Sequence, residues 1–368
     1  MHRRAWLALA ASSLALIGFG VGLTGGDAAL GDALAPADET HVSGPIIHEN
    51  LAIYLIHGKS ASGPVPLTLD EALAKRVVKV HETGNVNELQ VENLGNEEVF
   101  VQSGDIVKGG QQDRVLSVSL MLPPKSGRIP IGSFCVEQGR WTARGKEDAR
   151  TFATASAVVP SREAKIAMKA PLPTVPPAGH LSPRLPTAGL NYAASETGSR
   201  QQEVWDKVRK VQDGLSDNLG VTVNAPASQS SLQLALENEK LKDAQATYLA
   251  ALRPAGETDD DVVGYVFAVN GKLNSAEVYP SNGLFRKMWP KLLQASVTEA
   301  LGQRNAGGDA TPTAEAASAF LDEARKGKAS EKVLPAAASV ETRDADKALY
   351  FETKRADGAW LHRSYLAK

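Results

Sequence analysis

The sequence predicts an α+β fold: a mainly antiparallel β N-terminal half packed with helices and with a further β-hairpin from the C-terminal half. Three observations carry this. Apolar and polar residues alternate through much of 89–137, the period of a half-buried strand. After Trp141 the period becomes helical, over 204–215 and 234–252. Asn270-Gly271 then joins two more β-like runs, the strongest short hairpin signal there is. Strands, then helices, then strands again point away from a parallel, alternating sheet.

Taken in order, the chain begins with His2, Arg3 and Arg4, an uncharged apolar run from Ala5 to Leu23, and then small residues. Basic start, apolar middle and small-residue exit are the parts of an export signal. Residues 1–35 are therefore expected to be a signal peptide, or a membrane anchor if uncleaved, since the run is long enough to span. The expected location is exported, periplasmic or extracellular, with membrane contact only through that segment. Residues 36–44 read as a tether, and 45–368 as a single α+β domain.

Leu51–Ile56 has strand length and composition. Thr68 with Glu71 forms a capping box opening a short helix to about Arg76. Leu89 and Val91, then Val99 and Val101, alternate as strands. Leu116, Val118, Leu120 and Leu122 read as one strand ended by Pro123-Pro124, and Ile129–Glu137 as the next. Six prolines between Pro171 and Ser199 predict a long loop, 171–200. Helices follow near Val204–Leu215 and Leu234–Leu252. The 262–279 hairpin precedes a helix from Leu284, interrupted or restarted at Pro290. A helix over Thr313–Gly327 and a pair of strands within Val340–Tyr365 complete the chain.

Composition excludes several functions. Lys+Arg 40 against Asp+Glu 42 gives a net charge of -2, which disfavours general nucleic-acid binding. One cysteine, Cys135, cannot form an internal disulfide. Gly-x-Ser-x-Gly, His-Glu-x-x-His and Cys-x-x-Cys patterns do not occur. Gly139–Lys146 imitates a phosphate loop, but the spacing is wrong and Glu147 stands where Ser or Thr should ligand magnesium. The seven histidines lack metal-ligand spacing, so no metal site is expected and no cofactor is specified.

Two polar motifs remain. The first is Gly104–Arg114, with Asp105, Gly109, Gly110, Gln111, Asp113 and Arg114; the second is Phe134–Trp141, with Glu137, Gln138 and Arg140. Paired glycines permit close backbone approach, and arginine suits a carboxylate or phosphate. Asp113 and Glu137 are candidate acid and base if the segments lie side by side. Asp105, Gly109, Gly110, Gln111, Arg114, Gln138 and Arg140 are candidate ligand-binding residues for a small polar or anionic ligand. The same residues also fit a structural role, a tight turn with an Arg–Asp pair pinning neighbouring strands. Cys135 reads as an apolar filler rather than a nucleophile, and Trp141 as a core residue rather than a stacking platform.

Leu67–Glu71, Asn87–Asn93, Gly104–Arg114 and Phe134–Trp141 together resemble the bacterial and archaeal ARG and rhodanese-phosphatase-superfamily-associated protein domain family, where ARG denotes ADP-ribosylglycohydrolase. Gln202–Trp205, the Gly264–Tyr279 hairpin and Leu284–Leu293 extend the resemblance from Pro45 to the C-terminus; the Pro-rich stretch from Pro171 departs from it. The family name specifies no reaction. It implies, by analogy, a nucleotide-, ADP-ribose- or phosphate-bearing ligand to bind or hydrolyse, and such ligands are chiefly intracellular, at odds with an export signal. The alternative is a non-enzymatic envelope module for binding or interaction.

Overall fold

Strand-forming runs occupy both ends of this chain, and the fold joins them in one sheet. The computed structural model describes residues 40–169, 188–304 and 307–368, with side chains of the middle stretch from residue 198 onward. The expected export segment, 1–35, and residues 36–39 of the expected tether lie outside the described residues.

The first half contains β1 (His41–His48), β2 (Leu51–His57), β3 (Leu67–Thr68), α1 (Leu69–Ala74), β4 (Val78–Glu82), β5 (Glu88–Asn93) and β6 (Val99–Val101). It continues with β7 (Asp105–Gly109), β8 (Arg114–Leu116), β9 (Leu120–Leu122), β10 (Gly127–Cys135), β11 (Phe152–Val158) and α2 (Arg162–Lys169). Then come α3 (Ala188–Leu219), α4 (Leu232–Leu236), α5 (Glu239–Leu252), α6 (Ala255–Thr258), β12 (Val262–Val269), β13 (Lys272–Val278) and α7 (Asn282–Gly302). The chain closes with α8 (Ala314–Arg325), β14 (Lys328–Val333), β15 (Ser339–Asp344), β16 (Ala348–Lys354) and β17 (Trp360–Ala367).

An eight-stranded sheet has the order β1-β2-β12-β13-β17-β16-β15-β14, every pairing antiparallel. Period-two alternation splits its side chains between two cores. Leu51, Ile53, Leu55, Tyr265 and Phe267 pack with Phe285, Trp289 and Leu292 of α7. Tyr54, Val266, Tyr350 and Tyr365 pack with Ala317, Phe320 and Leu321 of α8 on the opposite face. A six-stranded sheet, β11-β7-β8-β10-β5-β4, and a three-stranded one, β3-β6-β9, share another core around Val91, Val107, Leu116, Leu120 and Ile131. The fold is α+β, as the sequence predicts.

Several boundaries differ from expectation, each for a local reason. The first strand starts at His41, before the expected domain boundary at 45, because a register shift between Ser43 and Ile46 carries the pairing past Gly44-Pro45. The run Leu116–Leu122 is two strands in two sheets. Ser117–Ser119 is the crossing point, where Ser103 N donates to Ser119 Oγ (2.9 Å) and Ser103 Oγ to the Ser117 carbonyl (2.9 Å). Helix α3 already begins at Ala188, inside the expected 171–200 loop, whose residues 171–187 lie outside the described part. Asn238 splits the expected 234–252 helix by capping α5 through Lys240 N and Leu241 N. Pro290 does not interrupt α7; it sits on the exposed face of the helix, clear of the buried Met288, Trp289, Leu292 and Leu293 that hold the helix to the core. The terminal region holds four strands, β14–β17, where a pair is expected.

Candidate functional site

The two polar motifs meet because β8 pairs with both β7 and β10. The turn from β7 to β8 needs Gly109 (φ 123°) and Gly110 (φ 58°). A Cβ at Gly110 would lie 2.7 Å from both Glu82 Oε1 and Phe152 Cζ, so only glycine fits. Opposite Arg114 stands Cys135, and just beyond, Val136 N donates to the Asp113 carbonyl (3.1 Å). This register brings Glu137 to Asp113: the Asp113 amide donates to Glu137 Oε2 at 3.0 Å.

Both carboxylates have no exposed surface. Asp113 accepts from Gly109 N (3.0 Å), from both Arg144 terminal nitrogens (2.6 and 2.8 Å) and from Ser231 Oγ (2.7 Å). Glu137 accepts from Arg140 Nε (2.7 Å), and its other oxygen lies 2.7 Å from Arg140 Nη2. Burial alone would raise the Glu137 pKa, but bonds from Arg140, Ser228 and the Asp113 amide hold it below the usual carboxylate value.

The guanidiniums are equally occupied. Arg140 also donates to the carbonyls of Gly110 (3.1 Å), Thr142 (2.5 Å) and Gly109 (3.3 Å). Arg144 spans Asp113 and Glu147, with bonds of 3.0 and 3.1 Å to the latter. Although burial opposes its charge, bonds to Asp113 and Glu147 raise its pKa further. The cluster therefore stitches loop 138–147 onto the β7–β8 turn.

The other candidates distribute as follows. Arg114, 1 % exposed, faces inward to Gln112 Oε1 (2.9 Å), Cys135 Sγ (2.7 Å) and Glu82 (3.6 Å). Burial pushes the Cys135 thiol up to about 11, which leaves it protonated and poorly nucleophilic. Gln111 is half-buried and gives its amide to Glu82 (3.0 Å). Asp105 leaves the group: it pairs with Lys291 Nζ at 2.5 Å and accepts from Gln102 N, and burial raises its pKa. Gln138 is exposed beside Arg140.

A match to the family described as ARG and Rhodanese-Phosphatase-superfamily-associated Protein domain, ARPP-1, spans residues 39–366. The chain belongs to the ARPP-1 family. No curated protein and no solved structure matches it.

Beside the stitched cluster this ARPP-1 domain has an open cleft of about 810 Å³, lined by residues 138–145 and by Ala227, Ser228, Gln229 and Ser230. Trp141 stands in it 52 % exposed, not in the core as its hydrophobicity suggests. Arg140 and Arg144 form the wall between the cleft and the two sealed acids.

Sequence reading missed a second polar network on the inner face of the large sheet. Ser119 Oγ lies 3.0 Å from His362 Nδ1, and His362 Nε2 lies 3.0 Å from Glu277 Oε2, though not aligned for a hydrogen bond. Lys165 of α2 approaches Glu277 at 3.3 Å. Hydroxyl, imidazole and carboxylate follow the order of a nucleophile relay. Yet Ser119, His362 and Glu277 are each no more than 2 % exposed, and the ring is packed against Phe100 and Tyr279. Burial lowers the His362 pKa, keeping the imidazole neutral. Only inward positions on strand patterns mark these residues, since no motif links segments so far apart. Among the described residues no cluster of three or more His, Cys, Asp or Glu is arranged to hold a metal.

Proposed function

We propose that this ARPP-1 domain is a non-catalytic binding module of the bacterial envelope that takes a small, polar, uncharged ligand in the Trp141 cleft. The observation that carries this reading is the saturation of Asp113 and Glu137. A general acid or base must reach a reacting atom, and both carboxylates are spent on Arg140, Arg144, Ser231 and backbone amides behind those arginines. Charge supports the uncharged ligand. Two guanidiniums, Arg140 and Arg144, face three carboxylates, Asp113, Glu137 and Glu147, so the cluster offers no surplus positive charge for a phosphate. The cleft lies within the ~300–1,000 Å³ span usual for small-ligand sites. The envelope location rests on the N-terminal sequence alone.

The test is thermal stabilisation of the full chain by neutral sugars and amides, ADP-ribose and inorganic phosphate, since a ligand that prefers the folded state raises its melting point. A rise with a neutral compound, lost in Trp141→Ala, is expected. Turnover of ADP-ribose that disappears in Glu137→Gln would overturn the reading in favour of hydrolysis.

A further inference from the structure

A second hollow of about 180 Å³ adjoins the Trp141 cleft and is lined by Trp205, Val208, Arg209, Gln212 and Asn224. Gln138, Gln229 and Ser230 line both spaces, so the two are neighbours across one ridge. The ridge is rigid: Ser230 Oγ accepts from Gln138 N (3.0 Å) and donates to the Gln138 carbonyl (2.8 Å). Gln212 anchors its far side through the Gln229 and Ser231 carbonyls. The side-chain amides of Gln138 and Gln229 bond to nothing among the described residues, and both residues are exposed. Trp205 Nε1 is a buried donor with no acceptor. An indole thus lines each hollow, and two free amides sit between them.

We infer that the two hollows are adjacent subsites for a neutral oligosaccharide, with Trp141 and Trp205 each serving one sugar ring and Gln138 and Gln229 binding hydroxyls at the junction. The inference rests on the binding reading above and names its ligand class. Sugar rings present apolar C–H faces that pack on aromatic rings and rims of hydroxyls that amides satisfy in both donor and acceptor roles. A peptide fits less well. A peptide that binds by strand addition needs an open strand edge, whereas this surface is made of loop 138–145, loop 224–230 and helix α3. An anion fits less well because Arg140 and Arg144 are already bonded to carboxylates. The remaining cation, Arg209, is 57 % exposed at the outer hollow and bonded to Asp206.

The experiment is calorimetric titration of the full chain with N-acetylglucosamine and its β-1,4-linked di- and tetrasaccharides, alongside a neutral tetrapeptide. The proposal expects affinity to rise at least tenfold from mono- to tetrasaccharide. Trp141→Ala should weaken every length, and Trp205→Phe, which keeps a ring but removes the N–H, should weaken only the longer ones, by several-fold. Length-independent affinity, or a Trp205→Phe variant that matches wild type on the tetrasaccharide while Trp141→Ala weakens it, overturns the second subsite and leaves the cleft standing. Preference for the tetrapeptide overturns the saccharide assignment. Absence of binding by every probe, with thermal stabilisation by another neutral compound retained, overturns this inference alone; absence of both overturns the binding reading beneath it as well.

Discussion

Asp113 has no exposed surface, and four donors converge on its two oxygens, from Gly109, Arg144 and Ser231. Breaking such a buried pair from one side strands the other charge, at a cost of about 3–5 kcal/mol. Asp113→Asn is expected to lower stability by that order in urea unfolding, while Glu147→Gln, whose carboxylate is partly solvated, costs about 1 kcal/mol or less. Equal losses at the two positions would contradict the account. Glu277 supplies a pH prediction. Burial pushes its carboxyl up, but the positive charge of Lys165 above all, with Lys169 adding to it, more than offsets this and holds it near 2, against an ordinary 4.5. The stability it contributes is present above about pH 4.5 and is lost as pH falls towards 2. His362 acts in the same direction, because its lowered pKa makes the unfolded chain the better proton acceptor below neutral pH. Melting temperature should fall through this acid window, with a shallower slope in Glu277→Gln; an unchanged slope would remove Glu277 as a cause. The meeting of Asp113 and Glu137 was legible from two β motifs close in sequence. Ser231 was not, lying 118 positions from its partner, and Arg144 was hidden in a loop that imitates a phosphate site. Asp105 looked like part of the group only because it is near in sequence; Lys291 of α7 holds it elsewhere.

At the scale of elements, local chemistry was the most readable. Thr68 and Glu71 form the reciprocal capping box, with Glu71 N to Thr68 Oγ1 at 3.2 Å and Thr68 N to Glu71 Oε2 at 2.8 Å. Thr68→Ala is expected to cost about 1 kcal/mol, read as a shifted urea midpoint with unchanged slope. The Asn270-Gly271 turn has positive φ at both residues, 52° and 75°, as a tight hairpin requires. A Cβ on Gly271 would lie 2.2 Å from the Asp309 carbonyl oxygen, so Gly271→Ala should destabilise more than Thr68→Ala. The reverse order would show that the 307–312 segment gives way easily. Elements whose ends depend on partners were misread. Leu116–Leu122 alternates without a break, yet the chain changes sheets at Ser117–Ser119 because Ser103 supplies bonds there. Pro290 stops an isolated helix, but buried Met288, Trp289, Leu292 and Leu293 keep α7 continuous on both sides.

At the scale of the whole molecule, the N-terminal hairpin β1–β2 completes a sheet whose other strands come from the second half of the chain. Such long-range pairing leaves no periodic trace, so the fold class was legible and the shared sheet was not. Residues 38–368 form one compact unit. The account therefore expects that part alone to melt in a single cooperative transition, checked by calorimetry against unfolding followed by fluorescence. On the binding reading, Asp113 and Glu137 hold Arg144, Arg140 and the wall of the cleft and move no protons. Amide hydrogen exchange across 138–147, compared between wild type and Glu137→Gln, tests it most directly. The variant is expected to lose protection in that loop and at the β7–β8 turn while the α7 core keeps its own. Unchanged protection in loop 138–147 would contradict it.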